Sequence, residues 1–140
     1  MKKSILVVAG EVSGDLHAAK VVQAVKARTP KTVFWGVGGD DLRAAGVELL
    51  QHTDQMGVMG IVEVLKQYRF FKGVLKQVLA EVDSRKPDAA LLVDYPGFNL
   101  RLAAELKKRG VKVYYYISPK VWAWNKKRIP KMAQAIDRLM

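Results

Sequence analysis

Short, near-continuously apolar runs that stop at Gly, Pro or Asp alternate along this chain with longer segments whose apolar residues recur every three to four positions. That alternation is the pattern of βαβ units, and apolar runs without a polar alternate are what strands buried on both faces of a parallel sheet require. The strands are predicted at Ser4–Ala9, Val33–Val37, Ala89–Val93 and Val111–Ile117. Helical spacing falls on Asp15–Arg28, Asp40–Ala45, Gly60–Val82, Leu100–Arg109 and Asn125–Ala135. The class is α/β, a parallel sheet with helices on both faces, because right-handed crossovers distribute successive helices over the two sides. With 140 residues, 50% of them hydrophobic, the chain has the size and apolar content of one domain. No internal repeat, low-complexity tract or linker interrupts it. Ile136–Met140 opens what reads as a further strand, either a short final edge strand or, as is expected here, a piece of a longer protein that continues beyond it.

Composition narrows the chemistry. The absence of Cys excludes disulfides, thiolate catalysis and Cys-based metal sites, and two His are too few for a His-rich one. The 24 Lys and Arg against 13 Asp and Glu leave a net charge of +11, which attracts polyanions: nucleic acid, phosphorylated ligands or an anionic membrane. The apolar stretch Ile5–Ala9 is far shorter than a membrane span and runs into Glu11 and Asp15 rather than a small-residue cleavage site, so it reads as a strand and the protein as cytoplasmic.

The turns after the strands hold the candidate site residues. The first, Ala9-Gly10-Glu11-Val12-Ser13-Gly14-Asp15, leads from strand to helix, where free backbone N–H groups and the positive end of the helix dipole can receive a phosphate or a sugar hydroxyl. It is neither a GxGxxG fingerprint nor a P-loop, since no Lys follows Gly14. On the residues alone, a tight turn in which Ser13 or Asp15 caps the helix is the better reading. The second turn, Gly36-Val37-Gly38-Gly39-Asp40, permits close approach by a ligand or, as simply, positive φ.

The segment Leu91-Leu92-Val93-Asp94-Tyr95-Pro96-Gly97-Phe98-Asn99 delivers a carboxylate at the end of an apolar strand. Ligands of open α/β sheets bind at that edge, and desolvation beside an apolar wall makes a carboxylate a better proton acceptor. Asp94 is therefore a candidate general base; an Asp bonding the amides of its own turn fits the spacing equally well. Asn99 is placed to cap the next helix. Further on, Ser118-Pro119-Lys120-Val121-Trp122-Ala123-Trp124 sets two indoles just past a strand, to line a sugar or acyl pocket or to pack under Lys126-Lys127-Arg128. In the long helix, Ile61, Val64, Leu65, Tyr68, Phe71, Leu75, Val78, Leu79 and Val82 form a core face. Val62 and Phe70 lie off that face beside Lys66 and Arg69, a combination suited to an interfacial helix.

In this order, the Gly10–Asp15 turn, Met59-Gly60-Ile61-Val62-Glu63-Val64-Leu65, Val93-Asp94 through Asn99, and Ser118–Trp124 with Lys127-Arg128 resemble the lipid-A-disaccharide synthase family, bacterial inverting glycosyltransferases of the GT-B type. The resemblance covers the whole chain but only the first part of the family's length. Gly97 and Lys120 depart from the family's usual residues. What the resemblance implies is the amino-terminal, acceptor-binding Rossmann-like domain of a GT-B fold, with a second, UDP-sugar-binding domain absent. It implies transfer of 2,3-diacylglucosamine from UDP to 2,3-diacylglucosamine 1-phosphate (lipid X), without metal or cofactor and without activity in this chain alone. Asp94 would be the base. Gly10, Glu11, Ser13, Gly14, Asp15, Gly38, Gly39, Asn99, Ser118 and Trp122 would bind substrate. Val62, Lys66, Arg69 and Phe70 would touch an anionic membrane at the inner face of the cytoplasmic membrane. A homodimeric full-length protein is compatible with it.

Two other classes compete. A stand-alone flavodoxin-like nucleotide-binding module predicts binding of a free nucleotide but lacks a recognisable phosphate loop. A nucleic-acid-binding domain would use the charge, but Tyr114–Tyr116 read as a buried strand, which leaves few aromatics for base stacking, and no nucleic-acid partner is expected.

Overall fold

The computed structural model describes residues 3–10, 12–53, 64–93, 96–116 and 138–139, and the side chains of these except 12–13, 64–68, 96–97 and 138–139. Six parallel strands form one sheet: β1 (Ser4–Ala9), β2 (Val33–Gly38), β3 (Glu48–His52), β4 (Ala89–Val93), β5 (Lys112–Tyr116) and the two-residue β6 (Arg138–Leu139). Their order across the sheet is β3-β2-β1-β4-β5-β6. The direction of winding thus reverses between β1 and β4, and the carboxyl ends of strands at such a reversal are where open α/β sheets bind ligands.

Among the described residues the helices are α1 (Val12–Arg28), α2 (Asp40–Ala44), α3 (Val64–Arg85) and α4 (Pro96–Lys108). Alternation within the strands divides the core into two layers. Leu6, Val8, Trp35, Val37, Ala90, Leu92, Val113 and Tyr115 pack with Val74, Val78 and Val82 of α3 and Phe98, Leu102, Ala103 and Leu106 of α4. Val7, Ala9, Phe34, Leu91 and Val93 pack on the other face with Ala18, Ala19 and Val22 of α1 and Leu42 of α2. The class is the expected one, a Rossmann-like α/β domain covered on both sides.

Three differences from the sequence reading have physical causes. The edge strand β3 was not expected; its residues Glu-Leu-Leu-Gln-His are neither continuously apolar nor alternating, and none is fully buried. Helix α4 begins at Pro96, a turn before Leu100, because a proline in the first helical position lacks only an N–H that the helix would leave free. Phe70, read as off the core face, is half-buried and packs against the α3–α4 layer, its ring 6.1 Å from that of Phe71. The expected helix Asn125–Ala135 lies outside the described residues.

One close approach requires glycine. Gly36 has φ +149°, and a Cβ there would fall 1.9 Å from the carbonyl oxygen of Val7 on the neighbouring strand. The β2–β3 register slips at this point, between Gly36 and Val37.

Candidate functional site

At the carboxyl edge, α1 holds α2 by both ends. The helix begins at Val12, so neither Ser13 nor Asp15 is its cap. Asp15 reaches the second turn instead. Its Oδ1 accepts hydrogen bonds from the amides of Gly39 (2.7 Å) and Leu42 (3.1 Å), and its Oδ2 accepts one from Asp41 (2.9 Å). Gly39, the residue preceding α2, has no side chain with which to cap it, and Asp15 supplies that function from 24 residues away. At the other end, Lys26 Nζ donates to the carbonyls of Ala45 (3.0 Å) and Gly46 (3.3 Å). A carboxylate at the amino end and an ammonium at the carboxyl end both complement the backbone dipoles of this short helix.

The Gly38–Gly39 turn is shaped by these contacts. A Cβ on Gly39 would lie 2.7 Å from Asp15 Oδ2 and 2.9 Å from Thr53 Oγ1, so the glycine makes room for the clamp. Gly38 ends β2 opposite His52 of β3. His52 Nε2 lies 2.9 Å from Asp40 Oδ1 on the outer edge of the same turn.

Asn99 occupies the switch point itself. It is fully buried, and its Nδ2 donates to the carbonyls of Val8 (3.4 Å) and Val93 (3.3 Å). Because α4 starts at Pro96, Asn99 lies inside the first turn rather than at its cap, and it ties together the ends of the two strands between which the winding reverses. Gly10 follows β1 and is buried, and Gly14 brings α1 close to β4, where a Cβ would meet Val93 Cγ1 at 3.4 Å.

The structure thus gathers Gly10, Gly14, Asp15, Gly38, Gly39 and Asn99 around the carboxyl ends of β1, β2 and β4. The backbone of Ser13 lies in α1 and that of Lys66 in α3, and Arg69 is exposed on α3. Glu11, Val62, Asp94, Ser118 and Trp122 lie outside the described residues; Asp94 follows Val93, the last residue of β4. Missed in the sequence was His17, exposed on α1 with its ring 5.7 Å from that of Tyr116 at the end of β5. A histidine two residues past the Gly-Asp pair of a βα turn carries a signal only once the strand order is known.

The amino edge has a different character. Arg85 lies 4.9 Å over the ring of Trp35 and bonds Glu48 and Glu81. Its pKa is raised, chiefly by the hydrogen bond to Glu48, against a smaller opposing effect of burial. Arg109 is raised likewise by Asp83 and then Glu105, and Glu105 is held below its ordinary value by Arg109 and then Lys108. These are structural pairs that fasten helix ends. Among the described residues no group of acidic or His side chains could hold a metal ion, and no helix is long and apolar enough to cross a membrane.

The family model described as lipid-A-disaccharide synthetase matches residues 5–140. The chain belongs to that family. The lipid-A-disaccharide synthase of Myxococcus xanthus (strain DK1622) is 50% identical over 97% of the chain. The alignment takes in 36% of that relative, so the chain spans about a third of the length of the curated proteins it matches. Among solved structures, UDP-GlcNAc 2-epimerase from Neisseria meningitidis, bound to UDP-GlcNAc, aligns with TM-score 0.60 and 11% identity over 94% of this chain and 37% of its own. The calicheamicin glycosyltransferase CalG4 aligns with TM-score 0.57 and 17% identity over 89% of this chain and 37% of its own. At such identities these two speak for the fold alone.

Proposed function

We propose that this chain is the amino-terminal, acceptor-side domain of a lipid-A-disaccharide synthase, and that a second, UDP-sugar-binding domain completes the GT-B enzyme. The family match across residues 5–140 carries this reading. In the reaction, the Asp94 carboxylate takes the proton from the 6-hydroxyl of 2,3-diacylglucosamine 1-phosphate as that oxygen bonds to the anomeric carbon of UDP-2,3-diacylglucosamine. The bond from that carbon to the UDP oxygen breaks on the opposite face, and UDP leaves with inversion. The position of Asp94 directly after a buried strand beside the switch point supports its role, since the crevice there is where open α/β sheets bind ligands. Asp15 and Asn99 contribute by fixing the turn before α2 and the ends of β1 and β4.

The acyl chains of both substrates place the enzyme at the inner face of the cytoplasmic membrane in this reading. Val62, Lys66, Arg69 and Phe70 then form the contact, Phe70 through the part of its ring that the core leaves uncovered. Alone, the chain lacks the second wall of the cleft and the groups that stabilise departing UDP, so the isolated chain makes no disaccharide.

The test is Asp94→Asn in the full-length enzyme. The fold should persist and turnover should fall by about 10²- to 10⁴-fold, the usual contribution of a general base. Product formation within a few-fold of wild type would remove Asp94 from this role, and disaccharide synthesis by the isolated 140-residue chain would overturn the two-domain reading.

A further inference from the structure

Ala9, Val93 and Tyr116 stand side by side in register at the ends of β1, β4 and β5, on the face that α1 covers. The first turns of α1 run across this row. Gly14 approaches Val93, and the imidazole of His17 lies over Tyr116, the ring planes inclined by 35°. Lys20 follows three residues after His17, the spacing that makes two side chains neighbours on a helix surface. His17 and Lys20 are exposed and Tyr116 is half-buried.

An imidazole, an ammonium and a phenol can all donate hydrogen bonds, and His17 and Tyr116 meet at the carboxyl end of β5 with Lys20 next to His17 in helical spacing on α1. The carboxylate nearest in sequence does not compete for them, because Asp15 is 3% exposed and its oxygens are taken by three backbone amides. Neither His17 nor Lys20 has an acidic partner among the described residues. Donors with no acidic partner among the described residues, on a chain of net charge +11, suit an anion with several acceptor oxygens, and the ammonium of Lys20 can only donate. Resting on the glycosyltransferase reading above, we infer that His17, Lys20 and Tyr116 form the subsite for the phosphate of the glycosyl 1-phosphate acceptor. His17 and Lys20 are then specificity-determining residues that separate phosphorylated from unphosphorylated acceptors.

The experiment is calorimetry on the full-length enzyme without donor, so that binding is read even if no disaccharide forms. The probes are 2,3-diacylglucosamine 1-phosphate with short acyl chains and its counterpart with a free 1-hydroxyl. The double variant His17→Gln, Lys20→Gln should bind the phosphorylated probe at least about tenfold more weakly, the loss typical of one charge-assisted hydrogen bond. The unphosphorylated probe should bind it as it binds wild type. In turnover, KM for the acceptor should rise while kcat and the KM for the UDP-sugar stay within about twofold, and Tyr116→Phe, which keeps the ring contact, should show a smaller change of the same kind. Unchanged affinity for the phosphorylated probe, equal weakening of both probes, or a rise confined to the UDP-sugar would each overturn the assignment. A readout independent of any variant is the His17 ring resonance of wild-type enzyme titrated with inorganic phosphate: it should shift saturably, and a resonance that does not move refutes the subsite.

Discussion

Removing the Asp15 carboxylate should be among the most damaging single changes in this domain that leave the apolar core intact. Asp15→Ala leaves the amides of Gly39 and Leu42 buried without an acceptor, and that of Asp41 half-buried. An unsatisfied buried donor costs about 1–3 kcal/mol, although the variant is also relieved of desolvating a carboxylate. The net expectation is about 3 kcal/mol, a large share of the roughly 5–15 kcal/mol available to a domain. Asp15→Asn should cost less, about 1–1.5 kcal/mol, because a carboxamide oxygen at the Oδ1 position still accepts from Gly39 and Leu42; only Asp41 then faces an NH₂ group. Urea denaturation followed by circular dichroism measures both, and hydrogen exchange at the three amides localises the loss. Gly39→Ala sharpens the test, since its Cβ would sit 2.7 Å from Asp15 Oδ2. With the carboxylate gone that clash is relieved, so the double variant should be more stable than the two single losses added together, by about 1 kcal/mol. Asp15→Ala within about 0.5 kcal/mol of wild type, or Asn as harmful as Ala, would refute the account of the clamp.

Two further expectations follow from the packing and the ion pairs. Gly36→Ala should abolish cooperative folding, because the new methyl would lie 1.9 Å from a carbonyl oxygen at φ +149°; a sharp thermal transition within a few degrees of wild type would contradict the strand contact. Glu105, held below its ordinary value of 4.5 by Arg109 and then Lys108, contributes stability that is present above that value and lost as pH falls through its lower folded value. Glu105→Gln should therefore lower the urea midpoint at neutral pH and approach wild type in acid, and a deficit that grows on acidification would reverse the sign of the argument.

Four of the six strands and the two-sided class were legible in the sequence because a parallel strand buried on both faces must be apolar at every position. The two-residue β6 falls within Ile136–Met140, which reads as the opening of a strand, while β3 was not legible: an edge strand with a single neighbour satisfies half its backbone with any side chains that tolerate partial exposure. The turns were recognised as candidate sites from glycine content, yet residue type could not say what the glycines accommodate. Gly39 leaves space for a carboxylate of the protein's own, and Asp15, read as a cap of α1 or a substrate contact, caps α2. Asn99 likewise joins the carbonyls of Val8 in β1 and Val93 in β4, far apart in sequence, which become neighbours only through the reversal of winding. Periodicity is a local property, set by which faces of a segment are buried, and the sequence determines it unaided. Which donor meets which acceptor depends on strand order and on the height at which each helix crosses the sheet. The tertiary structure alone decided that the exposed His17 would lie beside Tyr116.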